Sequence, residues 1–314
     1  MTTNLCVDAP GGTFILNAEE WLKAEFGVEQ SKVLIGTPDN PIIRPLTKNL
    51  VEASDKSFKT TFLLRLTLAM ASGTSAYPSL PVVRPRKILY LHGELAPSEL
   101  KERLQDAARD LPRPLGNFFQ GRSLDASLVT PDGQKVLRQV VDLYQPEVLV
   151  IDPWQSFIAG ADENSFKDVS GAIAFMDKLV ADCGLTLFLA IHFGKDASRG
   201  ARGHSALAGW RDTKFTLKRA GNGLSVAVEP RWAKPPDPLK LRFKDGTLWE
   251  GDGPTWTRQQ ERIRELVVAS GGQITKKAVG VILELEDSAL RMALKRAIDD
   301  HAITVVGDIV RVPA

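Results

Sequence analysis

The sequence predicts an α/β fold: a mainly parallel sheet with helices on both faces, an antiparallel extension of that sheet, and a small C-terminal winged-helix-like domain. The first observation is alternation. Short apolar runs such as Lys87-Ile88-Leu89-Tyr90-Leu91, Glu147 to Asp152 and Leu185 to His192 are separated by stretches whose apolar residues recur at helical spacing. That order implies right-handed crossovers between parallel strands covered on both sides. From Thr213 onward the pattern changes to short strands divided by turn signals, and beyond Pro254 helical segments precede a terminal hairpin.

Taken in order, residues 1–40 form a lead-in with an amphipathic helix over Ala18 to Phe26 that Asn17 caps. Residues 41–252 make the main domain. Its first strand, Asn49 to Ala53, leads through a loop to a helix, Thr60 to Ser72, stopped by Gly73. A Pro-rich connection brings the chain to the strand ending at His92-Gly93-Glu94, after which Pro97 opens a helix whose Leu100, Leu104, Ala107, Ala108 and Leu111 share a face. Pro131-Asp132-Gly133 turns into a helix over Lys135 to Tyr144, then comes the strand ending in Asp152. Ser165 caps a helix over Phe166 to Cys183, and Gly184 hands over to the strand ending at His192. The antiparallel extension comprises Thr213 to Lys218, Leu224 to Glu229, Leu239 to Lys244 and Thr247 to Glu250, with turns at Gly221-Asn222-Gly223 and Asp245-Gly246. Residues 254–314 form the separate C-terminal domain: helices Arg258 to Ala269, Lys276 to Leu283 and Ser288 to Asp300, then strands Ala302 to Val306 and Ile309 to Val312.

Composition narrows the class. The 314 residues suit one large or two modest domains, and 40 Lys plus Arg against 38 Asp plus Glu leave charge effects to local clustering. Two cysteines and four scattered histidines argue against a disulfide framework and a zinc site. The N-terminus has no basic segment followed by an apolar run, and no apolar stretch approaches the roughly 20 residues of a membrane helix, so a cytoplasmic protein is expected.

Chemistry concentrates at strand ends. Read against G-x-x-x-x-G-K-[ST], the stretch Ser54-Asp55-Lys56-Ser57-Phe58-Lys59-Thr60-Thr61 has the spacing and the strand-loop-helix context of a phosphate-binding loop, with Ala53 and Phe58 in place of its glycines. Lys59 would reach terminal phosphates, backbone N–H groups at the helix start would cradle them, and the Thr60 hydroxyl would ligate magnesium. A Phe58 backbone at positive φ would carry about 1–3 kcal/mol of strain. Asp152 is placed to hold a water on the same metal, and Glu94 to deprotonate a water attacking the γ-phosphate. His192 is either a satisfied core-edge histidine or a γ-phosphate sensor. All these residues lie at strand C-terminal ends, the edge where open α/β sheets bind ligands.

Two regions suggest a polyanion. Gly194 to Gly203 is small and cationic, and from Lys195 to Lys244 there are 12 Lys and Arg against 4 Asp and Glu, 12 − 4 = +8. A solvated face is the alternative. In the C-terminal domain the helix carrying Arg291, Lys295 and Arg296 is available to DNA, although 9 basic against 8 acidic residues also suit a packing or protein-binding module.

The set Lys56 to Thr61, Leu91-His92-Gly93-Glu94, Val150-Ile151-Asp152-Pro153, Ala190 to Lys195 and Arg202 to Leu207 resembles the RecA-fold ATPases, and within them the plasmid RepA-type hexameric replicative helicases and AAA-like ATPases of mobile elements. The resemblance covers Pro41 to Arg219 and implies a RecA-like domain in a homo-oligomeric, hexameric ring with ATP and magnesium between subunits. It implies Glu94 as catalytic base, Asp152 on magnesium, His192 as sensor, and basic loops with Lys195, Arg199 and Arg202 facing single-stranded DNA in a central channel. A neighbouring subunit would supply an arginine finger, Arg202 or Arg219. The function expected is an ATP-hydrolysing helicase or translocase. Its rivals are a nucleotide-sensing DNA-binding regulator or replication initiator with little turnover, and an ATPase switch that remodels protein partners.

Overall fold

A computed structural model describes residues 33–311 except 55–56, 123, 125, 163–164, 193–204, 221–222, 252–257 and 300–301. Strands β1 (Ile35–Gly36) and β2 (Pro41–Ile43) form a small antiparallel pair. The main sheet contains β3 (Lys48–Ala53), β4 (Ile88–His92), β5 (Phe118–Arg122), β6 (Val148–Asp152), β7 (Thr186–His192), β8 (Thr213–Ala220), β9 (Gly223–Pro230), β10 (Leu239–Lys244) and β11 (Thr247–Glu250), in the spatial order β11-β10-β9-β8-β3-β7-β6-β4-β5. Pairing is parallel from β8 across to β5 and antiparallel from β8 out to β11. The mainly parallel sheet and its antiparallel extension are therefore as expected.

Helices α1 (Lys59–Ser72), α2 (Pro97–Ala107), α3 (Pro131–Tyr144) and α4 (Phe166–Cys183) cover the two faces. Alternation along the strands sorts the side chains. Val51, Ala53, Ile88, Tyr90, Val148 and Val150 join α1 and α2 in one core, while Leu50, Leu89, Leu91, Leu149 and Ile151 join α3 and α4 in the other. The first core also takes in Leu34 and Ile35, so the chain is already packed ahead of Pro41.

Helix α1 is buried almost all round, from Phe62 through Ala71. The reason lies in its neighbours: besides the sheet, α2 and β11 of the extension pack against α1, and Leu239, Leu241 and Leu248 join the same core. A helix covered on every side needs no polar stripe, which fits the run Phe62 to Ala71, where the buried polar side chains are Arg65 and Thr67, the latter bonded to the Leu63 carbonyl of its own helix. Arg65 is the exception. It is 1 % exposed, makes a two-pronged salt bridge to Asp110 at 2.8 and 3.0 Å, and lies with its guanidinium 4.1 Å from the Trp249 ring centroid.

Several local details depart from the sequence reading. Helix α3 begins at Pro131, because Thr130 accepts from Gly133 N at 3.2 Å and proline suits the first helical turn. Ser165 precedes α4 but its hydroxyl makes no capping bond. Helix α2 ends at Ala107, short of Leu111. Strand β5 was not expected at all; its Phe-Phe-Gln-Gly-Arg sequence is half-buried at a sheet edge and lacks apolar alternation.

The C-terminal unit contains α6 (Arg258–Ala269), β12 (Gln273–Thr275), α7 (Lys276–Ile282), α8 (Asp287–Asp299), β13 (Thr304–Val306) and β14 (Ile309–Arg311); α5 (Ser205–Trp210) precedes β8 in the main domain. Strand order is β12-β14-β13, all antiparallel, over a core that includes Ile263, Val267, Val279, Leu294 and Val310. The short β12, hidden behind Gly271-Gly272, is an addition to the expected helices and hairpin.

Candidate active site at the C-terminal edge of the sheet

Strand β3 delivers the chain to Ser54 at the centre of the sheet, and the Ser57 hydroxyl donates back to the Ser54 carbonyl. Asp55 and Lys56 lie outside the described residues. Phe58 then adopts φ 59° and ψ 21°, the left-handed conformation at the position where the motif has glycine, and α1 starts at Lys59. A phenylalanine there stores about 1–3 kcal/mol of backbone strain. Its ring contacts offset this. The ring stacks on Phe243 of β10 with centroids 4.6 Å apart and planes at 18°, and the Arg219 guanidinium from β8 lies 5.3 Å from its centroid. Lys59 and Thr61 are buried and Thr60 is half-buried in the first turn of α1. The 14-residue helix points its N-terminus at the loop, with no acidic residue in that turn to oppose an anion.

Register places the other candidates. Ala53 pairs across β3–β7 with His192, and across β3–β8 with Leu217, two residues before Arg219. His92 pairs with Asp152 across β4–β6. Asp152 is 1 % exposed; its Oδ2 accepts from the Tyr90 hydroxyl at 2.6 Å and lies 3.8 Å from His92 Nε2. Its Oδ1 is buried with no hydrogen-bond partner among the described residues. His92 Nδ1 accepts from the backbone N–H of Glu94 at 3.0 Å and of Leu95 at 3.2 Å. Burial pushes the His92 pKa below its ordinary value, with Asp152 pulling the other way. The neutral ring therefore carries its proton on Nε2, toward Asp152. Burial, and then Asp152, raise the Tyr90 phenol well above its usual range, so it remains a donor.

Glu94 is exposed on the turn after β4. Gly93 sets that turn: its N–H donates to the Asp152 carbonyl at 2.9 Å, and a β-carbon there would overlap the Ser156 side chain. Gln155, in the single 3-10 turn Trp154–Phe157, has both amide atoms buried without a partner among the described residues. Tyr90, His92, Gly93 and Gln155 were missed as site residues. For the first two the signal was strand alternation, which puts positions 90 and 92 on one face, beside the strand that ends in Asp152.

The arrangement fits a nucleotide with magnesium. A left-handed residue opening a helix makes a concave set of N–H donors, and Lys59 adds a cation. Asp152 Oδ1 and the Thr60 hydroxyl are hard oxygen donors. Among the described residues no cluster of three or more His, Cys, Asp or Glu side chains forms a metal site alone. Magnesium characteristically takes only one or two protein ligands together with phosphate oxygens and water.

The remaining candidates divide. Lys195, Arg199 and Arg202 lie outside the described residues. Arg219 is exposed and sits on Phe58 of its own chain. Arg291, Lys295 and Arg296 are exposed on α8 in the C-terminal unit. Part of the basic stretch is neutralised internally: Lys214 pairs with Glu229 at 2.9 Å, and Arg231 with Asp212 at 3.5 Å. No helix among the described residues is long and apolar enough to cross a membrane.

None of the curated proteins compared matches the chain. A family model described as an AAA domain matches residues 39–198, which takes in β3, the phosphate loop, Glu94, Asp152 and His192. That match spans just over half of the 314 residues, and with it the chain belongs to the AAA domain family, as a P-loop ATPase domain of RecA-like fold.

Proposed function

We propose that the chain is an ATP-hydrolysing DNA motor of helicase or translocase type, acting as a homo-oligomeric, hexameric ring. One observation carries the hydrolytic part: the buried Asp152, anchored through Oδ2 by Tyr90 and left with a bare Oδ1, ends a strand beside the turn that presents Glu94. Lys59 and the N–H groups opening α1 hold the phosphates, and Thr60 with Asp152 would hold magnesium. A bound magnesium ion supplies neutralisation of the charge that builds on the phosphoryl oxygens. Glu94 orients the attacking water and takes its proton, and His192, beside Ala53, senses the γ-phosphate. Arg219 or Arg202 is the arginine that stabilises the transferring group.

DNA binding is supported by the basic stretch and by the C-terminal unit. Its order of helix, strand, two helices and hairpin, with the sheet order β12-β14-β13, is consistent with a winged helix whose α8 offers Arg291, Lys295 and Arg296. Phe58 favours a second reading, a nucleotide-sensing DNA-binding regulator with slow turnover, because a clamped loop relaxes less readily around a transition state.

Turnover with and without single-stranded DNA separates the two. The motor reading expects DNA-stimulated ATPase activity that Lys59→Ala and Glu94→Gln abolish, Glu94→Gln while keeping nucleotide binding. It also expects a ring mass on adding ATP and DNA. Replacing Arg291 and Lys295 together should lower the slope of log affinity against log salt by about 1.4–1.8. A wild type that binds ATP and DNA but neither turns over nor assembles leaves the regulator.

A further inference from the structure

Phe58 stands where a phosphate loop ordinarily has glycine, and its surroundings are built for the ring. It is half-buried, stacked on Phe243 at 4.6 Å, and covered by Arg219 at 5.3 Å, while its backbone holds φ 59°. Three elements converge on that one side chain: the loop itself, β10 and β8. A strained conformation persists where its environment over-determines it, and here the ring supplies that environment.

We propose that Phe58 is a positioning residue which does two things a glycine cannot. Its stack on Phe243 fixes the left-handed turn that aims the N–H groups of the loop and the first turn of α1 at the phosphates, so the cradle is formed before nucleotide arrives. Its π-face also holds the Arg219 guanidinium beside the loop of the same chain, delivering a cation to the phosphates in cis. This inference rests on the nucleotide-binding reading above.

Restoring the glycine then has a counterintuitive outcome. Phe58→Gly removes the backbone strain, yet it frees the loop and takes away the aromatic face under Arg219. The affinity of the apo protein for a fluorescent, non-hydrolysable ATP analogue should fall about fivefold or more, mostly through slower association, because the cradle must order during binding. Phe58→Trp keeps an aromatic face and should retain most of the affinity, and Phe58→Leu, of similar hydrophobicity, should behave like glycine. In a double-mutant cycle, Phe58→Leu and Arg219→Gln should show a coupling in analogue binding of about two- to fivefold, the range of an exposed cation–π contact. Thermal unfolding of each variant without nucleotide checks that the fold is intact.

Two failures are distinguishable. If wild type binds the analogue and Lys59→Ala does not, but Phe58→Gly binds as tightly as wild type or more so, the positioning role is overturned while the nucleotide site stands. If wild type binds no nucleotide, the nucleotide-site reading falls, and this inference falls with it.

Discussion

Replacing Tyr90 with phenylalanine removes one oxygen from the interior and little else. The phenol is fully buried and donates to Asp152 Oδ2 at 2.6 Å, and the other carboxylate oxygen has no hydrogen-bond partner among the described residues. Another donor facing it, His92 Nε2, is 3.8 Å away, beyond hydrogen-bond reach. Tyr90→Phe thus leaves a carboxylate that is 1 % exposed with no hydrogen-bond donor at either oxygen among the described residues. A hydrogen bond to a charged group contributes about 1.5–3 kcal/mol, and that is the loss expected in urea unfolding of the nucleotide-free protein. If Asp152 holds magnesium as proposed, the same bond orients its carboxylate for the ion, and loss of such a supporting contact typically weakens metal affinity by about 10-fold or more. Titration of the protein–nucleotide complex with manganese, followed by electron paramagnetic resonance, reads this directly. Unchanged manganese affinity together with a stability change under about 0.5 kcal/mol would refute the anchoring role.

Two further substitutions probe the frame. Asp110→Asn breaks the two-pronged bridge to the buried Arg65 and should destabilise by about 1–3 kcal/mol. The Arg65 hydrogen bond holds the Asp110 carboxyl below its ordinary 3.8, so this contribution is present above about pH 4 and is lost as pH falls further; a urea series at pH 3 to 7 on both proteins should converge at its acidic end. Burial holds His92 below the ordinary 6.5. On acidification the unfolded chain takes up that proton first, so stability should begin to fall below about pH 6.5 and continue down through the native value. His92→Gln should flatten that limb between pH 5 and 7, and an unchanged pH profile would show that other groups set it.

Much of this architecture was legible because strand and helix periods differ so plainly. Runs such as Val148 to Asp152 and Thr186 to His192 are too apolar for anything but a strand covered on both faces, and glycines at 73 and 184 mark the helix ends through left-handed caps. The position of Lys59, Glu94, Asp152 and His192 at one sheet edge followed from those periods. Strand β5 and β12 were not legible, since a half-buried edge strand and a three-residue strand lack alternation long enough to register. Nor was the contact between Phe58 and Phe243, which joins the loop after β3 to β10 across 185 residues of sequence, 243 − 58. The Tyr90–Asp152–His92 group was hidden for a related reason: a tyrosine in an apolar strand reads as core, and only the register of β4 on β6 brings its hydroxyl to a carboxylate.

The packing of β11 against α1 has a consequence for how the molecule breathes. A surface helix unravels from its exposed side, but α1 is buried from Phe62 to Ala71: the parallel sheet, α2 and β11 all pack against it, and Trp249 of β11 stacks on Arg65. Its amides should exchange with solvent slowly, since exposing them requires α2, β11 or the sheet itself to move away. The helix that begins with Lys59 should thus belong to the slowest-opening part of the domain. Contacts closing that unit come from residues far down the chain, so truncating the chain before β10 should loosen the first turn of α1, and faster amide exchange there is the measurement that shows it.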